Sequence, residues 1–578
     1  MPSISQLLLT PAAKTPRSTM VFWFSLSLAF AFVYGILAWQ DAFSGAYIVQ
    51  DDARQHVFWM RRFTNPDLFP NDLIADYFQS VAPWGYTTFY RLFALIGIDP
   101  LLLSKILPMV LGLGAAAYGF GVGLQFLPLP LTGFLSSLLV SQVVWGHEDV
   151  ISASPRAFMP LIFLAFLYYL HRRSLLPCLV TIALEGLFYP QYVFVFAGVL
   201  LLQPLRWQSG RWMGLRLSQD KQDYRFCIAG LVVAFLVLLP FALSSSVYGP
   251  TITAAEAREL PEFYPGGRGV FFNEDPVFFW LMGIRSGIFP SFLPQIMGLG
   301  LLLPILLKFP NRFPLVNQVS NRISTLLHLP IVGLGLFFVA HAVLFKLHLP
   351  SRYTAYTLRF ALVLAAAVVL TLLLDAGVQW LSRQSRSRRA SRVLVWGVAS
   401  LLALAVLLFP SYAEEFPDTN YVAGEEPELY TFLAQQPQDI VVASLVRKGD
   451  VIPTFAQRSL LVGREFAIPY HVGYANQFRQ RVADLLEAQY TPNRAKLQQF
   501  IQAYGIDYWL IDSESFSRKF LQEEWVKQYP AAVEAAKTSL QQQRAPALKR
   551  FANRCRVLET GDLSLLDAKC LLAPSQPG

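Results

Sequence analysis

Gln50-Asp51-Asp52-Ala53-Arg54-Gln55-His56 lies about a dozen residues beyond the first apolar run of the chain, Val21 to Trp39. Two carboxylates placed where a membrane helix meets water are costly to desolvate and easy to avoid, so they ask for a chemical explanation. The plain alternative is a solvated helix N-terminus, where an acidic cap is favourable by up to about 1 kcal/mol. Adjacent helical residues point about 100° apart, so both acids do not face one reacting atom. Asp52 is the candidate base, and Asp51 the candidate orienting or metal-binding partner. The following His56-Val57-Phe58-Trp59-Met60-Arg61-Arg62-Phe63 mixes apolar and basic residues as a helix lying along a membrane surface does.

Further out, apolar runs recur as far as Pro410, and 54% of the 578 residues are hydrophobic against 15% charged. That composition predicts a polytopic α-helical membrane protein. About eleven spans are expected, near 21–39, 101–126, 131–145, 157–170, 175–188, 191–203, 226–243, 289–307, 326–347, 357–376 and 393–409. Those near 131, 157, 175 and 191 are short for a bilayer core about 30 Å thick, and read as tilted, re-entrant or half-spanning helices. Gly112, Gly114, Gly119, Gly121 and Gly123 fall inside an apolar run, where small residues more often allow close helix packing than bind phosphate. No fixed-period repeat and no Walker or dinucleotide fingerprint is present, and the one biased tract is the Arg/Ser segment 382–392.

Basic residues collect in alternate loops: Lys14 and Arg17, Arg172-Arg173, Arg206 to Arg225, Lys308 to Arg322, and Arg383 to Arg392. The positive-inside rule makes that side cytoplasmic, with the N-terminus. The other side receives the acidic pair, the loops 146–157 and 244–288, the loop 348–356, and everything after Pro410. The net charge of +9 is then explained by membrane insertion and needs no nucleic-acid partner. The first apolar run is too long for a signal h-region and reads as a retained span. No Asn-x-Ser/Thr acceptor occurs in the external segments, which fits a bacterial inner membrane.

After residue 410 the apolar runs shorten to strand length, as at 439–445 and 507–512, and amphipathic helical patterns occur at 474–489, 493–504 and 516–528. Residues 411–578 therefore read as an extracytoplasmic α/β domain, joined to the membrane domain 1–410 by a linker through 414–418 and 424–427. Cys555 and Cys570 bracket a strand-turn-strand pattern and are either a disulfide or two thiols, whereas Cys178 and Cys227 read as packing residues.

The placing of Asp51-Asp52-Ala53-Arg54 beyond a first span, a first external loop 40–100 with amphipathic helices, and an external C-terminal domain resemble the GT-C superfamily of integral-membrane glycosyltransferases. The pair looks like the one that opens the first loop in the lipid-A aminoarabinose transferase and protein mannosyltransferase branches. Trp145-Gly146-His147-Glu148-Asp149 is similar in place to a second acidic motif of oligosaccharyltransferases. The resemblance implies an inverting transfer of a sugar from a polyprenyl phosphate or diphosphate donor to a glycan, lipid or protein acceptor at the outer face. It implies one base for the acceptor hydroxyl, and cations for the leaving phosphate.

Arg352 is the first candidate for that phosphate, in what reads as a short loop between spans, followed by Arg268 and Arg285 and then Lys346 and Arg359. A juxtamembrane arginine also snorkels to lipid phosphate without a catalytic role. His147, Glu148 and Asp149 either hold acceptor, cap a helix near Ser154, or bind a divalent ion (magnesium or manganese) through Asp51, Glu148 and Asp149; no cofactor is required outright. Tyr189 and Gln191 line the cavity or sit in an interfacial turn. The loop 244–288 reads as a flexible lid. Two other classes stay open: a flippase or transporter of a lipid-linked glycan, and a non-catalytic assembly protein with a GT-C-like shell.

Overall fold

The computed structural model describes residues 8–207, 215–289, 291, 293–383, 389–541 and 544–574. It is mostly helical, and five helices are long and apolar enough to cross a membrane: Arg17–Ala42, Pro100–Phe126, Lys221–Leu243, Asn321–Ala342 and Ser351–Leu381. Shorter apolar helices (Pro130–Trp145, Leu175–Phe188, Pro190–Leu202, Gln295–Leu306 and Val395–Leu407) fill the bundle. The expected span near 157 is the 13-residue helix Met159–His171. At about 1.5 Å per residue these short helices fall well below 30 Å, as their lengths in the sequence indicate.

Two expected spans have other limits. The run 289–307 becomes a 3-10 segment, Gln295–Leu302, and one α-turn, Leu303–Leu306. The run 357–376 lies inside a 33-residue helix, Ser351–Arg383, so Arg352 belongs to the first turn of a helix and not to a loop between spans. Pro350 stands immediately before that helix, where its fixed φ and missing N–H do no harm.

The Pro100–Phe126 helix packs against Arg17–Ala42, Pro130–Trp145 and Met159–His171, and the glycines permit the approach. A Cβ at Gly112 would stand 2.5 Å from the ring of the fully buried Trp145, and one at Gly123 would stand 2.9 Å from the Thr132 carbonyl oxygen. Gly112→Val is expected to cost about 1–3 kcal/mol by overpacking, seen as a lowered thermal midpoint in detergent; an unchanged midpoint would show that the helices separate freely.

The basic loops meet at one end of the bundle. Ser320 N–H donates to the Phe126 carbonyl, Ala12 N–H to the Pro128 carbonyl, and Arg322 to Gln125, while Arg173 pairs with Asp220 and Asp223. A small antiparallel hairpin, β2 (Leu205–Trp207) with β3 (Leu215–Leu217), lies in the same group of loops. Arg211, Arg386 and Arg388 lie outside the described residues.

At the opposite end, β1 (Ile48–Gln50) runs into the acidic pair and is matched antiparallel by β4 (Tyr421–Ala423). The segment between the last apolar helix and the C-terminal part is therefore more than a linker. Its Asn420 carbonyl accepts the Asp51 N–H, and Asp418 N–H donates to the Trp145 carbonyl. The stretch 56–63 folds as a helical turn followed by a 3-10 segment, but Phe58, Trp59 and Met60 are buried in the protein interior and do not lie on a membrane surface.

The C-terminal part carries a five-stranded sheet in the order β6 (Ser459–Leu460), β5 (Val441–Ser444), β7 (Tyr508–Asp512), β9 (Leu563–Asp567), β8 (Arg556–Thr560). Strand β5 is parallel to β6 and β7, and β9 is antiparallel to β7 and β8. Helices Val472–Tyr490 and Arg494–Tyr504 fall where the amphipathic pattern places them, the second ending at Gly505, whose φ of 62° suits glycine. The expected helix 516–528 is two short 3-10 turns instead. Cys555 and Cys570 form a disulfide.

The loop 244–288 is docked on this sheet-bearing part and is not a free flap. Glu262 accepts from Arg479 at 2.9 Å, Gln528 donates to the Gly266 carbonyl, and Ile252 N–H donates to the Tyr470 carbonyl. Phe263 and Phe271 are buried in a small core with Phe345.

Candidate functional site

Strand β1 delivers Asp51 and Asp52 into a turn, and the two side chains diverge. Asp52 does not cap the helix that follows, because no backbone N–H meets its carboxylate. Instead Asp52 Oδ2 accepts from Arg156 Nη2 at 2.8 Å. The same guanidinium donates to Glu148 Oε1 at 2.6 Å and stands 3.3 Å from Asp149 Oδ1. Arg156 is fixed by the 3-10 turn Pro155–Phe158 that opens the Met159–His171 helix.

Asp149 is shared more widely. It accepts from the Tyr356 hydroxyl at 2.9 Å and lies 3.7 Å from both Arg352 and Arg359. Glu148 also accepts from Asn420 at 2.9 Å, so the segment next to β4 closes the site from above.

Asp51 faces a second cluster. It pairs with Arg54 and stands 3.8 Å from Arg268, and both arginines turn to the buried Glu465 of the C-terminal part. Gln55 joins them through the Glu465 carboxylate and carbonyl. Arg285 spends its donors on the Arg268 and Val270 carbonyls and has no carboxylate partner among the described residues.

Burial works to raise the Asp52 carboxyl, but the charges of Arg156, and then of His56, Arg268 and Arg352, outweigh it and hold the group below the ordinary carboxylate range. Asp149 behaves alike: burial is overcome by Arg156, Arg352 and Arg359, which bring it down to about 2. His147 is pushed down to about 4 by burial and by Arg359, and its Nδ1 faces the Val143 carbonyl at 3.0 Å, so its imidazole is neutral at pH 7. The arrangement thus holds an ionised carboxylate inside a basin of guanidinium groups.

Of the residues singled out in the sequence, the fold gathers Asp52, Glu148, Asp149, Arg352 and Arg359 round Arg156, with Arg268 and Arg285 alongside. Tyr189 is buried next to them, within reach of the charges of Arg352 and Arg156, with Gln191 beside it in the same 3-10 turn region. Lys346 is exposed and stands apart. The metal set Asp51, Glu148 and Asp149 is not assembled: Asp51 belongs to the other cluster, Arg156 occupies the space between Glu148 and Asp149, and the described residues hold no group of three or more His, Cys, Asp or Glu suited to a metal.

Arg156 and Glu465 were not singled out by sequence reading. Arg156 has a signal: it is a lone basic residue beside an apolar run, at the end opposite the one where the basic loops collect. Glu465 has none, since it meets Arg54 across more than 400 positions.

Asp450, behind Glu465, is raised to about 7, chiefly by burial, with its Oδ2 accepting the Glu465 N–H. An acid whose folded pKa is raised favours folding below its unfolded pKa, and that contribution is lost as pH rises through the folded value. The thermal midpoint of the wild type is therefore expected to fall between pH 4 and about 7 more steeply than that of Asp450→Asn. Parallel curves for the two proteins would remove Asp450 from the account.

No family model matches the chain, and no curated protein matches it. Solved structures do. The oligosaccharyltransferase of Archaeoglobus fulgidus in its apo form superposes with a TM-score of 0.55 at 13% identity, over 90% of this chain and 72% of that one. The archaeal oligosaccharyltransferase AglB from the same organism, in complex with an inhibitory peptide and a dolichol-phosphate, gives 0.53 at 12% identity, over 89% and 72%. ArnT from Cupriavidus metallidurans bound to undecaprenyl phosphate covers 97% of this chain and all of its own, but at a TM-score of 0.46 it carries no weight here. The chain is a multi-pass membrane protein with the fold of these oligosaccharyltransferases, the GT-C fold.

Proposed function

We propose that this chain is an inverting glycosyltransferase that moves a sugar from a polyprenyl phosphate or diphosphate to an acceptor at the extracytoplasmic face of a bacterial inner membrane. One observation carries the reading: the Asp52 carboxylate is held ionised among Arg156, Arg268 and Arg352, at the end of a bundle with an oligosaccharyltransferase fold. A base alone, or an anion site alone, fits many proteins; the two together fit the displacement of a phosphate by a hydroxyl. The dolichol-phosphate held by the archaeal AglB supports a lipid-phosphate donor.

In this scheme the acceptor oxygen attacks the anomeric carbon and its proton passes to Asp52. The bond from that carbon to the phosphate oxygen breaks, and its electron pair leaves with the phosphate. Arg352, whose nearest carboxylate stands 3.7 Å away, and Arg285, which has no carboxylate partner among the described residues, take the phosphate, because the planar fork of arginine suits two of its oxygens. Tyr189 borders the acceptor side, the loop 244–288 with residues 411–578 forms the outer wall, and the basic loops with the N-terminus are cytoplasmic.

The test is transfer of labelled sugar from a panel of polyprenyl-phosphate donors by purified protein in lipid, wild type beside Asp51→Asn and Asp52→Asn. Transfer by the wild type that vanishes in Asp52→Asn supports the reading. Full transfer by Asp52→Asn would end its role as base, and no transfer from any donor to a broad acceptor extract would end the reading as a whole.

A further inference from the structure

The Met159–His171 helix connects two different places. Arg156 precedes its first residue, and His171 is its last, so the two lie about 20 Å apart along a 13-residue helix. At the His171 end a cavity of about 740 Å³ is walled by Arg173, Gln203, Asn321, Arg322, Ser324 and His171.

The chemistry of that wall is one-sided. Among the described residues its polar groups are guanidinium, amide and hydroxyl, with no carboxylate. Arg322 reaches only the Gln125 side-chain oxygen, at 3.4 Å, and has no carboxylate partner among the described residues. Arg173 is oriented by Asp220 and Asp223, which offset part of its charge and leave the Arg322 side the more positive. His171 is 2% exposed and packs edge-on to Phe126, with both ring nitrogens closed off from the cavity.

We propose that this cavity is a phosphate-binding site, with Arg322 as its principal donor. Guanidinium groups and hydroxyls suit phosphate oxygens, and the volume exceeds what a bare phosphate fills, leaving room for the ester that carries it. The phosphate belongs either to a lipid headgroup entering from the bilayer or to a soluble ester. The site is separate from the Asp52 cluster and does not depend on the transferase reading.

Two probes distinguish the sources: dioctanoyl phosphatidic acid, followed by native mass spectrometry of the full chain in detergent, and glycerol phosphate, followed by calorimetry. At least one is expected to bind saturably at one site, with affinity reduced roughly tenfold or more by Arg322→Gln, the loss of a charge-assisted hydrogen-bond pair. Arg312→Gln, an exposed arginine of the same loop outside the cavity, is expected to bind as the wild type does. Binding of the lipid alone assigns the site to a headgroup; binding of both assigns it to the phosphate itself. Should Arg322→Gln not fold, Asn321→Glu at the exposed rim is expected to weaken binding through charge alone. No saturable binding of either probe, or equal losses in the Arg312 and Arg322 variants, would overturn the proposal.

Discussion

Asp52→Asn is expected to lose transfer by roughly 10²–10⁴-fold, the range for removing a positioned general base, while donor binding and the thermal midpoint stay near wild type. The amide oxygen can still accept from Arg156, so the geometry survives and only the proton acceptor is gone. Asp51→Asn should cost far less in the chemical step, because Asp51 faces Arg54 and Arg268 and not the Arg156 basin. The pH profile gives an independent check. With Asp52 held below its ordinary value of 3.8, the acid limb of kcat/KM should lie below pH 4, whereas a base with a raised pKa would produce a limb near neutrality. A limb at pH 6 that survives in Asp52→Asn would transfer the role to another group.

Arg156→Met is expected to be the most destabilising single change at this end of the bundle. It leaves Asp52, Glu148 and Asp149 facing one another without the guanidinium that separates them, and breaking a buried ion pair from one side typically costs about 3–5 kcal/mol. Transfer and thermal midpoint should fall together. Adding Glu148→Gln to Arg156→Met should restore part of the midpoint and none of the transfer, which separates charge balance from catalysis. Arg156→Lys is expected to keep more stability but little activity, since one ammonium cannot fork to Asp52 and Glu148 together. A midpoint unmoved by Arg156→Met would mean that these carboxylates are already hydrated or protonated.

The parts of the fold set by local pattern were legible: the apolar runs, the strands at 441–444 and 508–512, the helices after Val472 and Arg494, and the packing role of Gly112 and Gly123. What failed is what tertiary context decides. The hydropathy of 357–376 could not show that the helix starts six residues earlier, because Ser351 to Tyr356 are polar by composition yet buried or half-buried in the structure. Residues 516–528 carry a helical rhythm, but Phe520, Leu521 and Val526 are drawn into the core as two separate turns. The aromatics of 263–272 face a private core that no periodicity announces. At the site, the acids were visible because carboxylates are rare beside apolar runs. Their arginine partner was not, because one arginine at a helix start has many ordinary explanations. Glu465 and Asp450 acquire their setting only when the C-terminal part folds onto the first loop.

The ribbon of β1 and β4 also sets an order of events during synthesis. Residues 48–50 leave the ribosome early, yet their partners 421–423 emerge about 370 positions later, roughly 20–70 s at ordinary elongation rates. Until then the Asp51 N–H has no Asn420 carbonyl, Glu148 has no Asn420 amide, and Arg54 has no Glu465. A nascent or prematurely terminated chain would carry both acids in the membrane without the frame that aims them. Completion of the last segment is thus the condition for the two acids to take up this arrangement.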